Sequence, residues 1–391
     1  MLKLGLAFPA TIVAAWAYAA WSLKKDRLTR YDEGELPPAF DAPLSPQYRQ
    51  QMDVALKLPQ AARGKAQGQI ARARSAVDHL GDGSHGVEII PTSAGGVPGE
   101  WVMAPNSVAS GRLLYIHGGG FVAGSPRSHR KIIAGIAKRA GLAVLAIDYR
   151  LMPENRRIHA IEDCRNAYLW MTETGPDGPS PASFVAVAGD SAGGNLALML
   201  AAWARDEGLR MPARIVALAP GTDTGLDSPS MRRNRKTDAM LGPTFGKALV
   251  LPTWVLFWIG WGIWRIKPTD PRLSPLRGDL SRLPPTLLQV SDSEMLRDDS
   301  LRYYRKTRSS GSPVILQRWA NCEHAFQTFL GSDVPEADHA LSLIAQFLVG
   351  ADGPDSAASQ APAQAAGRGQ PAGGTGSRKR AGAGRVTKLT G

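Results

Sequence analysis

The chain has 391 residues, of which 43% are hydrophobic, enough for one large folded domain or two ordinary ones. Its formal net charge of +12 is uneven, because residues 356–391 carry six basic side chains and no acidic one. That stretch is rich in Ala, Gly, Pro and Gln, so residues 351–391 are predicted to be a disordered basic tail. A basic tail differs from the basic face of a folded nucleic-acid module, so no nucleic-acid partner is predicted. Anionic lipid or another acidic partner stays open for the tail.

The first 23 residues contain an apolar run from Gly5 to Leu23. Nineteen helical residues span roughly 28 Å, close to the thickness of the hydrocarbon core of a bilayer. Trp16, Trp21 and the basic residues that follow favour a retained membrane anchor, and hence a membrane-associated protein. The A-x-A pattern at residues 17–19 leaves open a cleaved signal peptide and export. A buried helix of the folded domain is the third interpretation.

Beyond this run, residues 24–44 are Pro-rich and charged and are predicted to be a linker, and residues 45–80 read as polar helices. From Gly86 onward, short apolar segments alternate with helical ones, which predicts an α/β fold. The expected strands are Val87–Pro91, Glu100–Ala104, Arg112–Ile116, Leu142–Tyr149, Phe184–Ala188, Arg214–Ala219, Thr286–Val290 and Val314–Arg318. The sheet should be mostly parallel, with helices on both faces.

Residues 221–283 interrupt this alternation and are predicted to be an insertion. The insertion contains Leu249–Ile266, which is rich in Trp and Leu, while Pro252, Gly260 and Gly262 argue against a simple membrane span. Three interpretations stay open: a buried cap helix, an apolar wall of a substrate pocket, or a surface that enters lipid.

Two glycine-rich motifs carry the chemistry. Residues 189–193, Gly-Asp-Ser-Ala-Gly, fit the G-x-S-x-G nucleophile elbow, and Ser191 follows an apolar strand and precedes a helix, as the elbow requires. Residues 117–121, His-Gly-Gly-Gly-Phe, fit the loop whose backbone N–H groups receive the negative charge of an attacked carbonyl. Together they predict acyl transfer by a serine hydrolase.

A serine nucleophile needs a histidine base and an acid that orients it, in the chain order Ser, acid, His. Of the histidines beyond the insertion, His324 follows a strand, whereas His339 falls inside a predicted helix. The acid should follow the strand Thr286–Val290, where the candidates are Asp292, Glu294, Asp298 and Asp299.

The motifs together resemble the hormone-sensitive-lipase-like family of α/β-hydrolases. The resemblance spans residues 85–350 and rests on HGGGF, DYRLMPE at 148–154, GDSAGG, DPRLSP at 270–275 and LPP at 283–285. It implies an eight-stranded sheet within a domain of residues 45–350, with a cap formed by residues 45–80 and 221–283. It implies that the oxyanion hole uses the N–H groups of Gly119, Gly120 and Ala192, and that His117 holds the loop.

The acid is also indicated by this resemblance. The segment 294–299, Glu-Met-Leu-Arg-Asp-Asp, is similar to the family's D-P-L-R-D-E, and His324 lies thirty residues after Glu294, the usual family spacing. Glu294 is therefore favoured over Asp292.

The predicted function is a carboxylesterase that forms an acyl-enzyme on Ser191 and acts on small esters with short to medium acyl chains. No metal or organic cofactor is expected, and Cys164 and Cys322 do not form a C-x-x-C pair. Amide or lactone hydrolysis by the same residues, or a catalytically silent ligand-binding relative, are the alternatives. The oligomeric state is not predicted.

Overall fold

The computed structural model describes residues 2–61, 68–83, 85–330 and 334–350, so the predicted basic tail at 351–391 lies outside the described residues. The helices are α1 (Leu2–Lys24), α2 (Pro46–Ala61), α3 (Gln69–Asp78), α4 (Arg130–Ala140), α5 (Arg157–Glu173), α6 (Ala192–Asp206), α7 (Pro229–Arg233), α8 (Gly242–Phe245), α9 (Thr253–Trp264), α10 (Arg297–Ser309) and α11 (Pro335–Val349). The strands are β1 (Ala39–Phe40), β2 (Glu88–Ala94), β3 (Val97–Met103), β4 (Val108–Ile116), β5 (Leu142–Ile147), β6 (Thr174–Gly175), β7 (Gly178–Pro179), β8 (Phe184–Asp190), β9 (Arg214–Leu218), β10 (Thr286–Ser291) and β11 (Val314–Trp319).

In the described part of the chain, nine strands form one sheet in the order β1-β11-β10-β9-β8-β4-β5-β3-β2. Every neighbouring pair is parallel except the two that involve β3. The eight predicted strands are all present, and the mostly parallel α/β fold is confirmed. The expected number of eight is too low by one, because the two-residue strand β1 adds an edge beside β11.

Helices cover both faces of the sheet because side chains of its central strands alternate between two apolar cores. Leu114 and Ile116 of β4 point into a core shared with α5, α6 and α10. Leu113 and Tyr115 of the same strand point into a second core with α4 and α11. Because both faces are buried, central strands such as β5 are continuous apolar runs, as in other parallel sheets.

The segment 24–44, expected to be a linker, instead forms part of the domain. Leu28 and Tyr31 are buried in the larger core, and Phe40 of β1 contacts the ring of Trp319 at 4.6 Å between centroids. Arg302 forms an ion pair with Asp32, which ties the segment to α10. Arg302 lies 270 residues from Asp32 along the chain, so the local composition gives no sign of this partner.

The two segments predicted to form a cap contact the loops at the carboxyl ends of the strands. From α3, Arg74 donates hydrogen bonds to the carbonyls of Val122 at 2.7 Å and Met152 at 2.8 Å. From the insertion, Ser230 of α7 donates to the carbonyl of Met295 at 2.7 Å. Both segments therefore hold loops next to the sequence motifs HGGGF, DYRLMPE and the segment after Glu294.

The apolar N-terminal run forms α1, and its C-terminal half packs against α9. Ala19, Leu23 and Phe257 are buried together between the two helices. Across the ranges that the structure describes, no helix combines the length and the hydropathy needed to cross a membrane.

Candidate active site

Ser191 lies at a sharp turn between β8 and α6. Its φ of +51° is in the left-handed region, which is rare for a residue with a side chain and is characteristic of strained functional turns. The turn needs small neighbours, because a Cβ on Gly193 would lie 1.9 Å from the carbonyl oxygen of Ile116. The glycines of the motif thus allow α6 to start close against the sheet, with Ser191 at its N-terminal end.

The structure brings Ser191, His324 and Glu294 into one hydrogen-bonded chain. His324 Nε2 lies 3.0 Å from Ser191 Oγ, and its Nδ1 contacts Glu294 Oε2 on the other side of the ring. Glu294 Oε1 also accepts the backbone N–H of Ser291 at 3.1 Å. His324 and Glu294 are buried, so their interaction is shielded from water.

The buried carboxylate controls the protonation of the histidine. Burial by itself would lower the pKa of His324, but the charge and hydrogen bond of Glu294 outweigh it and raise this pKa above its ordinary value of 6.5. Burial in turn raises the pKa of Glu294, and His324 opposes that rise. The carboxylate therefore favours the imidazolium that would form when Ser191 loses its proton.

The other candidate acids bind arginine side chains or backbone N–H groups instead of His324. Asp292 forms ion pairs with Arg318 at 2.7 Å and with Arg297 at 3.1 Å. Asp298 contacts Arg233 and Arg297, and Asp299 accepts the N–H of Thr222 at 2.8 Å. His339 makes edge contacts with the rings of Phe40 and Trp319, at 5.0 and 5.4 Å between centroids.

The glycine-rich loop lies beside Ser191 with its amide groups available. Gly119 has φ +105°, and a Cβ there would lie 2.1 Å from the carbonyl oxygen of Ala123, so only glycine fits. In the described part of the chain, no protein acceptor takes the N–H groups of Gly119 and Gly120. Ala192 is the first residue of α6, and N–H groups at this position have no acceptor within the helix. These three amides are suited to bind an anionic oxygen.

Asp190, next to the nucleophile, holds the glycine-rich loop in place. Its Oδ1 accepts hydrogen bonds from the N–H of Gly118 at 3.1 Å and the hydroxyl of Tyr115 at 2.9 Å, and lies 3.3 Å from His129 Nε2. Burial would raise the pKa of Asp190, but His129 and Tyr115 hold it below its usual range. The motif residue was visible in the sequence, but its partners come from separate elements.

His117 lies under the loop rather than beside the nucleophile. Its ring stacks on Tyr149 at 4.3 Å between centroids, and its Nδ1 is 2.8 Å from the carbonyl oxygen of Gly118. Burial lowers the pKa of His117 to about 3, and the nearby His129 adds to this effect. A neutral, stacked ring is suited to support the loop.

Two polar residues of the insertion fix the segment that contains Glu294. Asn234 Nδ2 donates to the carbonyls of Asp292 and Glu294, each at 2.9 Å. Asp238, which is buried, accepts the N–H of Met295 at 2.8 Å. Sequence reasoning missed both residues, because they lie about sixty residues from their partners along the chain and belong to no motif.

Phe245 of α8 stands over the glycine-rich loop. A Cβ built on Gly120 would lie 3.7 Å from Phe245 Cζ, so this ring borders the space beside the amide of Gly120. Sequence reasoning missed this residue as well. A single aromatic side chain in an insertion gives no local signal of the loop it will cover.

The described residues contain no group of His, Cys, Asp and Glu side chains that could hold a metal ion. Cys164 and Cys322 are buried free thiols, and burial raises the pKa of each. Thiols in this state are poor nucleophiles and poor metal ligands.

The fold and this constellation define a serine hydrolase of the α/β-hydrolase class. The profile of the α/β-hydrolase fold family matches residues 113–328. An esterase of Acinetobacter venetianus is 35% identical over 266 residues, which cover 68% of this chain and 83% of that protein. An acetyl-hydrolase of Streptomyces hygroscopicus is 34% identical, over 65% of this chain and 80% of its own.

Solved structures agree with these relatives. An esterase from the bacterial hormone-sensitive lipase family superposes with a TM-score of 0.68 at 31% identity, over 79% of this chain and 99% of that one. The chain belongs to the α/β-hydrolase fold family, and within it to the hormone-sensitive-lipase-like esterases. It is a carboxylic-ester hydrolase.

Proposed function

We propose that Ser191, His324 and Glu294 are the catalytic triad of this esterase. The observation that carries the proposal is the hydrogen-bonded chain from Ser191 Oγ through both nitrogens of His324 to Glu294. Asp292 is less suitable as the acid, because its two oxygens are already bound by Arg297 and Arg318.

In the first half of the reaction, Ser191 Oγ attacks the ester carbonyl while His324 Nε2 takes its proton. The carbonyl oxygen becomes negative and accepts hydrogen bonds from the amides of Gly119, Gly120 and Ala192. The tetrahedral intermediate then expels the alcohol, which receives the proton from His324. The product of this half is an acyl group on Ser191.

In the second half, a water molecule gives a proton to His324 and its oxygen attacks the acyl carbon. Collapse of the second tetrahedral intermediate releases the carboxylic acid and returns the proton to Ser191. Throughout the cycle, Glu294 accepts the Nδ1–H of His324 and stabilises the imidazolium, and it does not itself take up a proton.

The substrates that suit this site best are esters with short to medium acyl chains. Phe245 restricts the space beside Gly120, next to the position of the carbonyl carbon under attack. The name of the acetyl-hydrolase relative points to small acyl groups in that protein. A series of p-nitrophenyl esters from acetyl to palmitoyl tests this: kcat/KM should be highest at the short end, and a steady rise to palmitoyl would contradict it.

The test of the nucleophile is covalent labelling with a fluorophosphonate, followed by mapping of the modified peptide. The label should lie on Ser191, and Ser191→Ala should remain unlabelled. A label on another serine, with full esterase activity in Ser191→Ala, would exclude the assignment.

We also propose that the enzyme associates with membranes through its N-terminal helix, and that this helix is retained. Burial of Ala19 and Leu23 and the hydrogen bond from Arg277 to the carbonyl of Leu23 at 3.0 Å support retention over signal cleavage. Membrane fractions that keep the protein at high salt would agree with this. A mature protein beginning near Ala20 would instead indicate export after cleavage.

A further inference from the structure

The helices α1 and α9 lie side by side and form one unit. Trp258 Nε1 donates to the carbonyl of Ala15 at 3.1 Å, and the ring of Tyr18 stacks near that of Trp261 at 6.0 Å. Just beyond the end of α9, Lys267 Nζ lies 5.5 Å from the ring centroid of Trp21, one turn further along α1. Contacts therefore advance in the same direction on both helices, and their C-terminal ends lie together.

On α9, the side that faces away from the domain is apolar. Leu256, Phe257 and Gly260 are buried, and the opposite stripe contains Trp258, Ile259, Gly262 and Ile263. Ile259 is 45% exposed and Ile263 is 57% exposed. A surface helix of a globular protein normally has polar residues on this stripe.

The neighbouring helix extends this apolar surface. On α1, the exposed large side chains are Ile12, Val13, Trp16, Tyr18 and Trp21. We call these residues together with Trp258, Ile259 and Ile263 the α1–α9 face. Tyr18 contacts both Trp21 and Trp258, at 6.0 and 5.7 Å between ring centroids, so exposed aromatic side chains of the two helices adjoin. Exposed apolar surface of this kind marks a site that contacts another apolar phase.

Basic residues lie at the C-terminal end of the α1–α9 face. Lys24 is the last residue of α1, Lys25 and Arg27 follow it, and Arg265 follows α9; all four are exposed. Asp26 lies 4.0 Å from Lys25 but is shared with the buried Arg277 at 3.0 Å, so it does not neutralise the four basic residues. At an anionic membrane surface, apolar side chains contact the acyl chains, Trp and Tyr lie at the interface, and basic side chains contact the phosphate groups. The α1–α9 face and its basic cluster have these three components.

The length of α9 fixes how it can meet a bilayer. Its twelve residues make a helix of roughly 18 Å, well short of the roughly 30 Å hydrocarbon core. Helices of this kind lie in the plane of the interface with their apolar side in the acyl region. On the opposite side of α9, Leu256 is buried in the same hydrophobic cluster as Met295, the residue after Glu294.

We propose that the α1–α9 face docks the enzyme on the surface of an anionic lipid bilayer, with α9 lying flat at the interface and Lys24, Lys25, Arg27 and Arg265 at the phosphate groups. This inference rests on the proposed membrane association and adds a cap helix as a lipid-binding element. Docking through α9 sets the catalytic domain directly on the membrane surface.

The test is flotation of the full chain with vesicles of phosphatidylcholine alone and of phosphatidylcholine mixed with phosphatidylglycerol. The test variant is Ile259→Glu with Ile263→Glu. The matched control is Val54→Glu with Leu169→Glu, which places the same charges on equally exposed helix positions elsewhere. Hydrolysis of a soluble p-nitrophenyl ester shows that each variant is folded.

The wild-type protein and the control should float, more strongly with phosphatidylglycerol, while the test variant loses roughly tenfold or more of its binding and keeps its esterase activity. A test variant that floats like the wild type would overturn the docking face and leave the proposed membrane association standing. A wild-type protein that binds neither vesicle would overturn both. If the wild type instead forms a dimer that the test variant does not, the face is a protein–protein interface and the proposal fails.

Discussion

Asn234 Nδ2 donates a hydrogen bond of 2.9 Å to the backbone carbonyl of Glu294, and so connects the insertion to the acid that contacts His324. A second hydrogen bond of the same amide reaches the carbonyl of Asp292 at 2.9 Å. The insertion is therefore more than a cover over the site, because it holds the backbone from which Glu294 projects.

Replacing this amide should affect turnover rather than substrate binding. Asn234→Ala leaves two carbonyls without their donor and lets the segment around Glu294 shift, so we expect kcat to fall by about tenfold with little change in KM. Steady-state kinetics on a soluble ester measure both values. Asn106→Ala, which removes an exposed amide bound to the carbonyl of Lys138, is the control. Equal kcat in the two variants would argue against a positioning role for Asn234.

The pH profile should report the charge of Glu294. Ser191 is activated only when His324 is neutral, so activity should fall as the pH drops through the pKa of His324, which Glu294 raises above 6.5. We call the fall of kcat/KM at low pH its acid limb. In Glu294→Gln the negative charge is lost, so the acid limb should move to lower pH. The kcat of Glu294→Gln at its best pH should be lower than that of the wild type by a factor on the order of a thousand or more.

Asp292→Asn is the matched control for that experiment, because it removes a neighbouring carboxylate that binds Arg318 and Arg297 instead of His324. Its acid limb should stay in place. An acid limb that moves in Asp292→Asn and not in Glu294→Gln would reverse the assignment of the acid.

The glycine-rich loop should tolerate no side chain at Gly119. Alanine there would meet the carbonyl oxygen of Ala123 at 2.1 Å, so the loop must shift and its amides move away from the anionic oxygen. We expect Gly119→Ala to lower kcat by about a hundredfold or more. Gly178 has a similar φ of +111° but nothing within 4 Å of a Cβ, so Gly178→Ala tests for backbone strain alone. Similar kcat values in both variants would contradict the role of the loop.

Acyl-chain preference should depend on Phe245. Phe245→Ala opens space beside Gly120, so the ratio of kcat/KM for octanoyl to acetyl p-nitrophenyl ester should rise by about tenfold. The exposed Val108, which starts β4, provides the control Val108→Ala. An unchanged ratio in Phe245→Ala would mean that the acyl chain lies elsewhere.

Much of the fold could be predicted because its signals are local. The buried parallel strand β8 is apolar from Phe184 to Gly189, and α6 begins directly after Ser191, as the elbow motif predicts. The nucleophile elbow is likewise a local motif. Glycine is required at position 193, because any Cβ there would clash with the carbonyl oxygen of Ile116.

The parts that sequence reasoning missed depend on distant partners. Strand β1 has two residues and no pattern of its own, and it exists because β11 offers a free edge. The segment expected to be a linker is held by Arg302 and by core contacts of Leu28 and Tyr31. Asn234 and Asp238 act on backbone groups that only the folded insertion brings near, so no short motif could reveal them.

The most direct test of the central claim is kcat for Ser191→Ala, His324→Ala and the double variant on one soluble ester. If the two residues act as a unit, each single variant should lose a factor on the order of 10⁵ to 10⁶, and the double variant should be no slower than either. A His324→Ala variant with near-wild-type kcat, or a double variant whose loss is the product of the two single losses, would contradict the proposed triad.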